Sequence, residues 1–551
     1  MTSRRFHPSI PAISFVIWWL VASIVFPARM LNSDGDLLRH IGHGEWMLTH
    51  HSLIHNDPFS WTMGGQPFVG FEYGSQLIYA LVHRGAGLAG VAIFAGLLIA
   101  TAYALLGRFL LSRGIDALLT YLVTVAAAVL GAVHWAPRPH LFTLVLVVIL
   151  LPMLEDGRTD RRTDGQESSV VGRRSSRFGR LMTDSPRPLL AIPLFALWAN
   201  LHGGWVFGLV LIGIYFAGHT LDWLMRVDRA WQVARMKYLA ALFGCGLLGT
   251  LCTPHFLKLH RHVFGFFGDR WLLDNTQEFM SPDFHQITGK LFLLALLGVI
   301  LALALSRERP SGPHLLVILV MTYFVLNARR NMQLFGVTAV PALAIHINAA
   351  WKRLPDWRGI RSVFDRDAKT GTTLPYVVVL VALFGFLAVG QGKVFGADII
   401  PNAVSPDEFP VAVVRRARAE HINGRIYNDY TWGGYLIYAW PEQKVFIDGG
   451  TDFYGPALTR TWTMIGQLQP FWRDSLERLG VDLALVPPGS GFAHELLREP
   501  GWRLRDCDAT AVLLQKSGGP AEPQAGAAAS RPYGGKADSL LAKCFERAPA
   551  P

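Results

Sequence analysis

Charged side chains are scarce in this chain. Only 17% of its 551 residues are Asp, Glu, Lys or Arg, while 51% are hydrophobic. A soluble globular domain carries about a quarter charged residues, so the chain as a whole is not one. Cysteine is also sparse, with four in all, and no CxxC or Cys/His metal spacing occurs. That excludes a zinc ribbon and a disulfide-dense scaffold. Cys245 and Cys252 sit in an apolar run and read as packing residues; Cys507 and Cys544 fall in the C-terminal region and can pair if it lies outside the cytoplasm. Period-two alternation is missing from the apolar segments, which excludes a transmembrane β-barrel. No internal repeat is present beyond the hydropathy pattern itself. After the opening "MTSRRFHPS" there is no small-residue cleavage site of the A-x-A kind, so the first apolar run reads as an uncleaved signal anchor.

What the chain does have is apolar blocks of the length that crosses a ~30 Å hydrocarbon core. Eleven candidate spans read as 11–27, 88–108, 116–133, 140–155, 188–200, 204–223, 238–253, 290–306, 313–327, 332–350 and 374–392. Backbone groups in lipid must be satisfied internally, so the spans are expected to be helices. The mean hydropathy of +0.30 agrees with this class. The net charge of +11 would point to nucleic acid in a soluble protein. Here it collects in alternate loops, as a topology signal does, and nucleic acid is set aside. The segment 155–187 has eight arginines and 351–373 has six Lys or Arg, whereas 28–87 has only Arg29, Arg39 and Arg84. The expectation is a multi-pass protein of a bacterial inner (plasma) membrane, with a cytoplasmic N-terminus and the C-terminal region on the other side.

The expected domains are a membrane domain over 1–393, a soluble extracytoplasmic α/β domain over 394–516, and a low-complexity tail over 517–551. Within the first, 28–87 is an extracytoplasmic loop with short surface helices ("GEWMLTH", "YGSQLIYALVHR"), and 155–187 is a basic cytoplasmic loop. In the α/β domain "FPVAVVRRARA" reads as a helix. "GRIYNDYTWGGYLIYAW", "KVFIDGG" and "VDLALVPPG" read as buried strands.

Polar residues beside membrane spans are costly and therefore informative. The outer ends of the spans hold a set of them: Asp34, Asp36, Arg39, His40, His55, Asp57 and Glu72 in the first loop; His134, Arg138 and His140 in "HWAPRPHLF"; Asn200 and His202 in "WANLHGGW"; Glu278 in the next outer loop; and Arg329, Arg330 and Asn331 in "NARRNMQ". Arginines suit a phosphate or pyrophosphate, whose oxygens they bind bidentately. A carboxylate suits general-base work on a hydroxyl or amine. Plainer roles stay open at this stage. Asp34 fits an N-cap of "SDGDLL", Asp36 a helix-dipole partner, Asp57 a turn, Arg138 a snorkelling arginine and His202 a structural hydrogen bond, although Gly203 and Gly204 allow close approach to a ligand. Arg329 and Arg330 run against the positive-inside rule, which favours a function. A divalent metal on Asp34, Asp36 and a histidine is a further option, although Asp-x-Asp without fixed further ligands is a weak metal signal.

An acidic motif after the first span, eleven or so spans and a C-terminal outer domain resemble the GT-C superfamily of integral-membrane glycosyltransferases. Asp34 followed by Arg39-His40 is similar to the Asp…Arg-His spacing of its eukaryotic glucosyltransferases. The phrases "DGDLLRHIGHGEWML", "HNDPFSWTMGGQPFVGFEYGSQLIY", "APRPHLFTL", "WANLHGGWVFGL", "QEFMSPDF", "NARRNMQLFGV" and "NDYTWGGYLIY…KVFIDGGTDFYG" resemble, in that order, an uncharacterised bacterial branch. The resemblance implies an inverting transfer from a polyprenyl-phosphate-linked sugar to an acceptor glycan, lipid or protein. Asp34 would be the base, Asp36 its acidic neighbour, and Arg138, Arg329 and Arg330 the donor-phosphate ligands. Asp-Gly-Asp stands where the mannosyl- and arabinose-transferring branches have Asp-Glu, which argues against those sugars. A non-catalytic glycan-binding, transport or envelope-assembly protein is the alternative.

Overall fold

The structure is a computed structural model and describes residues 8–33, 35–155, 188–306, 309–356, 359–370, 373–517 and 536–545. Asp34 and nearly all of the Arg-rich 155–187 loop therefore lie outside the described residues. The chain divides into two compact units. One comprises 1–27, 90–264 and 273–400; the other comprises 28–89, 265–272 and 401–551.

The first unit is a bundle of apolar helices, and the chain is a multi-pass membrane protein. Among the described residues five helices are long and apolar enough to cross a bilayer: Tyr73–Ser112, Ala117–His134, Trp205–Leu224, Ile287–Leu305 and Arg329–Lys352. The first of these is broken at Gly87 (φ 64°), so its apolar part begins where the sequence places the second span. Shorter apolar helices cover Ile10–Val25, His140–Leu154, Pro188–Leu201, Gly312–Asn327 and Leu374–Val389. The remaining expected span, 238–253, falls in the helix Arg229–Thr250, whose first turns carry Arg229, Arg235 and Lys237. The bundle interior is made of large apolar side chains such as Trp198, Trp205, Tyr103, Phe195 and Phe335, all fully buried. The helix Ile287–Leu305 instead turns Leu294, Leu297, Ile300, Leu301 and Leu305 outward. In water such a face would be a liability; in lipid it is the solvent-facing side.

The second unit joins the first loop to the C-terminal region. Its sheet has strand order 426–428, 483–486, 512–516, 502–507, the first pair parallel and the other two antiparallel. Tyr427, Phe446, Trp472, Phe492 and Leu514 fill its core. The first loop is stitched in. Trp61 N donates to Val445 O, Val445 N donates to Phe59 O, and the Trp61 indole donates to Ile426 O.

Three expectations need correction. "GGYLIYA" is a helix, Gly433–Ala439, because Asp429 caps the preceding turn through Thr431 N and starts helical winding. "KVFIDGG" is not a strand: only Val445 makes a bridge, and the Asn428 side chain takes Phe446 N and donates to Ile447 O in place of a ladder. The expected surface helix around "GEWMLTH" belongs to a longer helix, Asp36–His50, with Leu37, Leu38, Ile41 and Met47 buried. It packs on Gly433–Ala439, where Gly434 meets the Gly35 carbonyl and Gly42 meets Ile437. Within the expected tail, Lys536–Phe545 is helical; its Leu541 is buried and its Cys544 is bonded to Cys507.

Candidate functional site

The candidate residues gather in two clusters, one in each unit. In the helical unit the turns between spans bring four distant stretches together. Arg138 leaves the non-helical "WAPRP" turn and its Nη1 meets Glu278 Oε1 at 2.6 Å. Arg330, in the short turn Arg329–Asn331, places Nη1 3.9 Å from the other oxygen, Oε2, and lies over the Phe279 ring at 4.5 Å. Arg329 N donates to Met280 O at 2.9 Å. The His134 and His140 rings are 4.3 Å apart, and His140 Nε2–H donates to the His134 carbonyl.

His202 is fixed from two sides. Gly204 N–H and the Thr143 hydroxyl both reach its Nδ1, at 3.0 and 2.8 Å, while the Trp198 indole donates to Thr143 Oγ1. Nδ1 is thus the acceptor, and the proton sits on Nε2. Burial, then the positive charges of Arg330 and Arg138, push its pKa down to about 3. His202 is a neutral hydrogen-bond donor and not a proton carrier at ordinary pH. Gly204 has a different use from the one the sequence suggests. A Cβ there would fall 2.3 Å from Thr143 Oγ1, so the glycine serves internal packing. Glu278 resists protonation. Burial raises its pKa, but Arg138, His134 and Arg330 outweigh that and hold it at about 2.

In the other unit the Asp36–His50 helix sets Asp36, Arg39, His40 and His43 on one face, one helical turn apart. Buried Arg39 lies between Asp36 (3.6 Å) and Asp448 (3.7 Å). Those two carboxylates, with Glu72 and Asp452, outweigh desolvation and keep the guanidinium charged. His40 Nδ1 is 3.7 Å from Glu72. His43 stacks on Phe59 at 4.4 Å, and burial and Arg39 hold it neutral. Asp448 accepts from Gly450 N and the Tyr454 hydroxyl; burial lifts its pKa to about 6, against the pull of Arg39. A cavity of about 20 Å³, room for one water, is lined by Arg39, His43, Glu72, Asp448, Asp452 and Tyr454, among others.

Other candidates have local duties. Asp57 accepts from Phe59 N, Ser60 N and the Ser60 hydroxyl, which is turn chemistry. Asn200 donates to the Ala196 and Cys252 carbonyls, and Asn331 to that of Phe324. His55 is exposed, and its carbonyl accepts Phe68 N. Asp36 is a helix-first-turn residue paired with Arg39. Among the described residues no three His, Cys, Asp or Glu side chains are grouped to hold a metal ion, so the described carboxylates offer no ready-made metal site. Asp448, Tyr454 and His43 are the residues that sequence reasoning left out of the site. The signal for Asp448 was an acid closing the apolar run "KVFI", where a strand reading hides the need of Arg39 for a counter-charge.

These features define a multi-pass membrane protein with an arginine-rich cluster at the turns of its helical unit and an acid-ringed arginine in its other unit. No protein-family model and no curated protein matches the chain. Among solved structures, the chain is similar to the oligosaccharyltransferase of Archaeoglobus fulgidus in its apo form, at 12% identity and TM-score 0.48, over 87% of this chain and 69% of that one. The oligosaccharyltransferase AglB from Archaeoglobus fulgidus, in complex with an inhibitory peptide and a dolichol-phosphate, aligns at 13% identity and TM-score 0.46 over the same shares. ArnT from Cupriavidus metallidurans bound to undecaprenyl phosphate aligns at 14% identity and TM-score 0.43, over 93% of this chain and 99% of that one. The likeness is one of chain course, and it assigns neither donor nor acceptor.

Proposed function

We propose that the chain is a membrane glycosyltransferase that moves a sugar from a polyprenyl-phosphate donor to an acceptor on the extracytoplasmic face. The observation that carries this reading is the meeting of Arg138 and Arg330 from far-apart turns, with Arg329 beside them and a neutral, oriented His202 near by. Such a set binds a phosphate oxygen pair and withholds protons from it. The acceptor hydroxyl or amine attacks the anomeric carbon and gives up its proton. The bond from that carbon to the phosphate oxygen breaks, and the phosphate departs with the electron pair. Asp34 takes the proton, following the motif resemblance. Asp36 is tied to Arg39 and orients the start of that helix.

The test uses the full-length chain in nanodiscs. Undecaprenyl phosphate binds the wild type, and Arg138→Ala or Arg330→Ala weakens binding at least about tenfold. With a panel of undecaprenyl-phosphate monosaccharides and native envelope extract, Asp34→Asn lowers label transfer about 10²- to 10⁴-fold. Undiminished transfer by Asp34→Asn removes the base, and unchanged lipid binding by both arginine variants removes the donor site.

A further inference from the structure

Glu278 is an acidic side chain that pairs with two arginines of the cluster in the helical unit. Each of its two carboxylate oxygens faces a different guanidinium, Oε1 that of Arg138 at 2.6 Å and Oε2 that of Arg330 at 3.9 Å. A phosphate bridging those arginines would use two oxygens in the same way. The side chain is 26% exposed and stands on a single turn, Gln277–Phe279, between the spans. That turn has other attachments, through Phe279 under Arg330 and Met280 O on Arg329 N. The carboxylate can therefore swing away while the loop stays in place.

We infer that Glu278 is an internal stand-in for the donor phosphate, and that it sets an affinity threshold which free phosphate at cellular concentrations does not pass and a lipid concentrated in the bilayer does. This rests on the donor-site reading above. The carboxylate fills the position between Arg138 and Arg330 until a phosphodiester arrives. For the phosphodiester donor the exchange is neutral in charge, one negative group for another; a phosphomonoester brings up to one charge more. A tethered carboxylate competes at a high effective concentration, of the millimolar order or above. Free phosphate must overcome that with its charge alone. A polyprenyl phosphate has its chain buried in the bilayer beside the site, and it wins. The arginines keep Glu278 ionised throughout the working pH range, so release is by competition and not by protonation.

The experiment measures two ligands against the full-length protein in nanodiscs: undecaprenyl phosphate in the bilayer, and inorganic phosphate in the buffer. Glu278→Gln keeps the shape and removes the charge. It is expected to bind the lipid about tenfold more tightly than wild type, and, in nanodiscs without the lipid, to bind inorganic phosphate about tenfold more tightly as well. Glu278→Ala shifts both in the same direction, which covers a failure of the glutamine variant to fold. If both variants bind lipid and free phosphate as wild type does, or more weakly, while Arg138→Ala loses the lipid, the stand-in role is overturned and the donor site survives. If Arg138→Ala and Arg330→Ala also bind the lipid normally, the donor site and the stand-in fall together.

Discussion

Arg39 and Asp448 show how one residue pair ties the ends of a long chain together, and how pH enters. The folded-state pKa of Asp448 stands at about 6, above its ordinary 3.8. The folded chain therefore binds this proton more tightly than the unfolded chain. The stability so gained is fully present below the unfolded value and is lost as pH rises through the folded one. In detergent, the melting temperature of the wild type should fall with rising pH between 4 and 7 relative to that of Asp448→Asn. The slope is the readout, because the substitution also costs Arg39 a partner at every pH. Parallel curves would show that Asp448 does not titrate in that window.

At the scale of elements, the break at Gly87 is the clearest local device. Its φ of 64° suits glycine, and a Cβ there would lie 2.2 Å from Asn402 Oδ1. That same oxygen accepts Ala89 N at 3.0 Å. Gly87→Ala should cost about 1–3 kcal/mol from backbone strain and the lost bond, read as a lower melting temperature. The sequence reads this region well, because an apolar run beginning at Leu88 stops at the membrane-like boundary the break makes. The helical spans are legible for the same reason: lipid leaves the backbone no alternative. The C-terminal sheet is less so. "GGYLIYA" is rich in strand-formers, yet the Asp429 cap decides its winding, and "KVFIDGG" is held by the Asn428 side chain. Periodicity carries no trace of either contact. The arginine cluster is legible because arginines at span ends violate a topology rule, whereas Asp448 violates none and went unread.

For the whole molecule, the positive-inside reading of the basic loops makes a prediction about topology, with the C-terminal region expected outside the cytoplasm. Alkaline phosphatase fused after residue 517 should be active, and fused within 160–185 it should be silent; the reverse pattern would invert the topology. The free Cys245 and Cys252 would react with a thiol reagent in denatured, unreduced protein, and two further thiols would appear only after reduction.

The composition of the second unit also sets a timetable for biogenesis. Its helix Asp36–His50 buries Leu37, Leu38 and Ile41 within a unit whose other main segment begins at residue 401. Its partner Gly433–Ala439 leaves the ribosome near the end of translation, roughly tens of seconds later at ordinary synthesis rates. Throughout that interval the helix is already made and its apolar face has nothing to rest on. The nascent chain is thus a natural client for a holding chaperone, and a chain stopped at residue 400 would remain one.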